Sequence, residues 1–205
     1  MLNRYAGTPR YENLMAAYAH RLARRFLRSH PNSIGQAIWI STSNEDFDVL
    51  AVPLKDTLDA AGAVTSISCL WTIFNPGTDL IPDTSCLVAQ AHRHDEKRPT
   101  ETDILLHVSS SLAECAIAVD TISRVSQMIS AKDVVVLTLS ATDAEIATLV
   151  ERANWFGLTE PTVIRLSDAR DSRVLLSNLR EYLTRAYGRS RIAYLPVTFG
   201  GTGRI

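Results

Sequence analysis

Asp103-Ile104-Leu105-Leu106-His107-Val108-Ser109-Ser110-Ser111-Leu112 is an apolar run that ends in three serines. A long apolar helix is expected from Leu112. A second strand then reads Val134-Val135-Val136-Leu137-Thr138-Leu139, and another helix starts from Thr142. Strand, small polar loop, helix, strand, helix is the pattern of a parallel sheet. The loop Ser109–Ser111 falls where such sheets bind anions.

Upstream, residues 1–9 form a polar lead-in and a helix is expected from Arg10 to Ser29. Tyr11, Met15, Tyr18, Leu22 and Phe26 recur at helical spacing and predict its buried stripe. Arg21, Arg24, Arg25 and Arg28 share a different face. Pro31-Asn32-Ser33 ends the helix. Ala37–Ile40 is the first expected strand, and Ser41–Asp46 a polar turn after it. A helix runs on to about Ala61, where Pro53 either kinks it or opens a new first turn. Gly62 is its C-terminal cap, and Val64–Phe74 holds the second strand. Asn75-Pro76-Gly77 and Ile81-Pro82-Asp83 are turn signals. Cys86–Ala89 reads as a short third strand, and His92–Thr102 as a charged loop containing Pro99.

Downstream, Leu112, Cys115, Val119, Ile122 and Ile129 mark one side of a helix reaching toward Ala131. Ile146, Leu149, Val150 and Ala153 group on the next. Pro161–Leu166 is a strand, and Ser172–Tyr187 a helix using Leu175, Leu176, Leu179 and Leu183. Ile192–Leu195 is a last strand before a flexible tail over 199–205. The expected fold is α/β: a largely parallel, doubly wound sheet with helices on both faces, in one domain spanning 10–198.

Bulk properties narrow the function classes. The 205 residues are 46% hydrophobic and 21% charged, which excludes global disorder. A formal net charge of −1 gives no whole-chain attraction to nucleic acid or an anionic membrane. The three cysteines, Cys69, Cys86 and Cys115, form no CxxC pair, which suits a reducing, cytoplasmic setting. No apolar run approaches bilayer length and no secretory signal opens the chain.

Several residues are candidates for chemistry. Ser109, Ser110 and Ser111 offer hydroxyls and amides to a phosphate at a helix N-terminus; the plain alternative is that one of them caps the helix. His107 faces the same crevice, as a hydrogen-bond donor to a phosphate, as a proton-transfer group or as a structural residue. Ser41, Ser43, Glu45 and Asp46 follow the first strand. With Asp48, the acids there suit Mg²⁺, a ribose or a helix dipole. His92, His94, Asp95 and Glu96 contain an H-x-H pair, but no further ligands complete a zinc set, so no metal centre is expected. The arginine face suits phosphates or an acidic partner, and lacks a nucleic-acid motif.

The order of elements from Tyr11 to Leu166 resembles the type I phosphoribosyltransferase fold. The segment Val135–Ile146 is similar to the strand and helix after that family's phosphate loop. The resemblance implies a nucleotide or phosphoribosyl ligand, with Mg²⁺ as its ion. In that family the loop after the fourth strand carries two adjacent acids and then Thr-Gly. Here His107 and Val108 stand at the acids, and Ser111, Leu112 and Ala113 near Thr-Gly. The pyrophosphate turn, usually glycine-rich, corresponds to Ser41–Asp46, which has no glycine and two acids. The expectation is a phosphoribosyltransferase-like domain with a degraded motif, either nucleotide- or phosphate-binding or a non-catalytic subunit of a homo-oligomer or larger complex. An active transferase with non-standard residues is one alternative. A shorter resemblance, Ile38 through Leu58 and Gly62, is to the opening of a TIR domain. It implies NAD binding or cleavage with Glu114 as the catalytic acid.

Overall fold

The computed structural model describes residues 9–76, 86–95, 101–167 and 172–187. Helix α1 (Pro9–Ser29) precedes β1 (Ala37–Ser43), α2 (Val52–Ala60), β2 (Val64–Pro76) and β3 (Cys86–Asp95). Then come β4 (Glu101–Ser111), α3 (Cys115–Ser126), β5 (Ser130–Ser140), α4 (Asp143–Trp155), β6 (Thr162–Ser167) and α5 (Ser172–Tyr187). The six strands lie in the order β3-β2-β1-β4-β5-β6. All neighbours run parallel except β2 and β3, which form an antiparallel pair.

Both faces of the sheet are covered, as continuous apolar strands require. Ile38, Ile40, Ile104, Leu106, Val135 and Leu137 pack beneath α1, α2 and α5 through Met15, Leu22, Phe26, Leu54, Leu58, Leu179 and Leu183. Trp39, Leu105, Val134 and Val136 pack beneath α3 and α4 through Val119, Ile122, Val125 and Leu149. At the amino ends of the strands, Asp103 accepts from the Ala37 amide (3.0 Å) and from Lys132 (2.6 Å), tying β1, β4 and β5 together. The Lys132 hydrogen bond, with that of Ala37, holds the Asp103 carboxyl below its ordinary pKa.

The sequence pattern sets the helix ends. Thr142 accepts from the Glu145 amide, and Glu145 accepts from the Thr142 amide, so a capping box opens α4. Pro53 opens the first turn of α2 after a separate wide helical turn at Phe47–Ala51, the second of its two readings. Gly62 ends α2 at φ +91°, where a side chain is strained.

Several boundaries differ from expectation. Ser41–Ser43 and Ser109–Ser111 belong to β1 and β4 rather than to loops. Strand pairing continues through them, Ser41 opposite His107 and Ser111 opposite Ser140. Ladder hydrogen bonds keep these polar stretches extended, with β2 beside Ser43 and β5 beside Ser109 and Ser111. Helix α3 starts at Cys115, not Leu112, and ends at Ser126; Ile129 lies beyond it yet is buried. The third strand is longer than Cys86–Ala89 and takes in His92–Asp95, while Glu101 and Thr102 open β4. Asn75 and Pro76 end β2. The lead-in up to Thr8, the Ile81-Pro82-Asp83 turn, Gly77, Glu96, Pro99, the strand at Ile192–Leu195 and the tail over 199–205 lie outside the described residues.

Candidate functional site

From β1 the chain runs outward to β2 and the antiparallel β3, then returns to place β4 on the other side of β1. This reversal leaves a crevice beyond the carboxyl ends of β1 and β4, the position where open α/β sheets take ligands. Its cavity volume is only about 30 Å³, room for water-sized groups. Ser43, Glu45 and Asp46 wall it from β1; His107, Ser109, Ser111 and Glu114 wall it from β4; Ile117 and Ala118 of α3 close it.

Strand alternation explains this set. Trp39 and Leu105 face α3, so Ser41, Ser43, His107, Ser109 and Ser111 fall on the same side, while Ser110 falls on the other. His107 is 2% exposed, and its Nδ1 is hydrogen-bonded to the Ser41 hydroxyl at 3.2 Å. Burial pushes its pKa down to about 4, so the imidazole is neutral at neutral pH. Proton exchange at His107 therefore falls well below neutrality. The Thr42 hydroxyl donates to the Val108 carbonyl (2.8 Å), tying the two strand ends.

The amides around the serines are engaged by the chain itself. The Ser110 N–H donates to Asp46 Oδ2 at 3.0 Å, joining the end of β4 to the segment after β1. The Ala113 N–H donates to Ser111 Oγ at 3.0 Å, and the Leu112 N–H reaches the Ser140 carbonyl at 3.4 Å. The hydroxyls of Ser109 and Ser110 are buried with no hydrogen-bond partner among the described residues.

Charge at the rim comes from three elements. Arg180 of α5 grips Glu114 with two nitrogens, Nη1 to Oε1 at 3.0 Å and Nη2 to Oε2 at 2.7 Å. Its Nε donates to Glu45 Oε1 at 2.9 Å. Glu45 is 3% exposed. Burial disfavours the Arg180 charge, but Glu114 and Glu45 outweigh it and hold the guanidinium pKa above its ordinary value. Among the described residues Arg180 thus bonds two carboxylates, Glu45 and Glu114, with Asp46 next to Glu45 in the chain. Behind them the Tyr11 ring stacks on Tyr182 at 4.7 Å, joining α1 to α5. Burial first, and then the Asp46 charge, push the Tyr11 phenol above its ordinary pKa.

The structure brings His107, Ser109 and Ser111 together with Ser43, Glu45 and Asp46. Ser110 takes part through its amide, and Ser41 lies behind His107. Glu114 entered the sequence reading only through the TIR resemblance, and Arg180 did not enter it. No local signal marks Arg180, because its partners are 66 and 135 residues away along the chain. His92 and His94 lie in β3, in register with Trp71 and Cys69 of β2. Among the described residues no group of three or more His, Cys, Asp or Glu side chains suits a metal ion. No helix among them is long and apolar enough to cross a membrane.

No family model and no curated protein matches the chain. Among solved structures, the hypoxanthine-guanine phosphoribosyl transferase of L. donovani is similar over 75% of this chain and 78% of that one, at 13% identity and a TM-score of 0.46. The hypoxanthine phosphoribosyltransferase of Trypanosoma cruzi, in complex with the product IMP, is similar over 65% and 69%, at 12% identity and a TM-score of 0.44. In its own element order, from α1 through β1, α2, the β2–β3 pair, β4, α3, β5 and α4, the fold resembles the type I phosphoribosyltransferase kind.

Proposed function

We propose that the chain is a phosphoribosyltransferase-like domain that does not turn over phosphoribosyl pyrophosphate and acts as a non-catalytic subunit through protein contacts. One observation carries this reading. The Asp46 carboxylate already accepts the Ser110 amide, at the place where the resemblance sets a phosphate. An incoming phosphate has to displace that carboxylate. It also meets Glu45 and Glu114, whose cation Arg180 is already engaged. The residues present fit Mg²⁺ only in part: Glu45 and Asp46 are hard oxygen donors, but Arg180 holds the first and the Ser110 amide the second.

Calorimetry with phosphoribosyl pyrophosphate and Mg²⁺, alongside an assay for pyrophosphate release with purine and pyrimidine bases, tests the reading. The expected result is no binding heat and no release. Saturable binding with turnover overturns it in favour of an active transferase. The NAD-cleaving alternative has one observation behind it, the place of Glu114 on the crevice wall. Nicotinamide release from NAD that is lost in Glu114→Gln establishes it instead.

A further inference from the structure

Helix α1 has two faces. Tyr11, Met15, Leu22 and Phe26 are fully buried on one. Asn13, Leu14, Ala17, Arg21, Arg24, Arg25 and Arg28 follow one another at helical spacing on the other. That second stripe rises about 22 Å at 1.5 Å per residue. A shallow, open groove of about 320 Å³ lies over Arg10, Asn13, Leu14 and Ala17 at its start. The four arginines beyond it are exposed, and none makes an ion pair with a described residue.

This sets α1 apart from its neighbours. Helices α2, α3 and α5 pair opposite charges four residues apart, in Lys55–Asp59, Asp120–Arg124 and Arg185–Glu181. At the same spacing α1 sets Arg21 beside Arg25 and Arg24 beside Arg28, which disfavours the helix alone. Among the described residues no acid relieves this charge arrangement.

We propose that this stripe docks an acidic amphipathic helix of another protein. A straight row with partly apolar Leu14 and Ala17 at one end and guanidinium groups at the other matches a helix carrying leucine and then glutamates at the same repeat. A second copy of α1 sets arginine against arginine, since Glu12 is the only acid in the helix. The segments 1–8 and 188–205 contain no Asp or Glu to set against the face. A nucleic-acid strand engages the arginines but gains nothing from Leu14 and Ala17, and the stripe has no aromatic on which a base stacks.

The test uses a fluorescein-labelled synthetic helix with leucines followed by glutamates at the α1 repeat, read by anisotropy on the whole chain at low salt. Saturable binding that weakens several-fold as salt is raised is expected. The variant Arg21→Glu/Arg24→Glu places a glutamate four residues before Arg25 and before Arg28. Its melting temperature therefore holds or rises, while the affinity falls roughly tenfold or more. Absence of peptide binding overturns the proposal, as does binding unchanged in the variant. Tighter binding of a single-stranded oligonucleotide than of the peptide overturns it in favour of nucleic acid. A dimer seen by light scattering and lost in the variant overturns it in favour of a second copy. Since the test measures no phosphoribosyl chemistry, its failure and that of the non-catalytic reading are separate events.

Discussion

His107 ties burial to acid stability. Unfolded, its imidazole takes a proton near pH 6.5; folded, it takes one only near pH 4. Between those values the unfolded chain holds more protons, so stability falls as pH falls and the loss is complete below the folded value. The contribution is on the order of 3 kcal/mol. Urea unfolding at neutral pH and near pH 5 is expected to show a smaller drop for His107→Gln than for the parent chain. An equal drop in both places the acid sensitivity elsewhere. The sequence set His107 at the crevice by its position near the end of an apolar run. It did not show that Ser41, 66 residues earlier, holds its Nδ1. That pairing exists because β1 and β4 are neighbours in register, which no local pattern encodes.

Elements were legible where periodicity was strong. Thr142 and Glu145 spell the start of α4, and both halves of the box form. Thr142→Ala is expected to cost about 1 kcal/mol, lowering the thermal midpoint by about 2–4 °C in a chain this size. Differential scanning calorimetry reads it, and an unchanged midpoint means that packing of Leu149 and Ala153 alone holds the helix. The serines misled for a physical reason. Polar residues signal a turn when strands end at solvent, but here β1 pairs with β2 through Ser43 and β4 pairs with β5 through Ser111, one neighbour each holding the serine ends extended. The direction of β3 was equally hidden, since a run of residues carries no sign of whether its partner is parallel. The apolar face of α1 and the exposed face of arginines were both readable, because a single helix fixes them without help from the rest of the fold.

At the scale of the whole molecule, β1 and β4 lie at the middle of the sheet, with covered faces and two neighbours each. Their amides are expected to exchange with deuterium last, and those of the edge strand β6 early. Mass spectrometry of exchanged peptides checks the order, and early exchange across β4 contradicts a single cooperative sheet. Two acids on the crevice wall, Glu45 and Glu114, are bonded by a residue from the last described helix. During synthesis Glu45 and Glu114 leave the ribosome well before Arg180, which follows Glu114 by 66 residues. The amino-terminal strands start to assemble while the chain is still growing. For that interval Glu45 and Glu114 lack the guanidinium that the finished fold sets between them, so docking of α5 is also the step that first pairs these two acids.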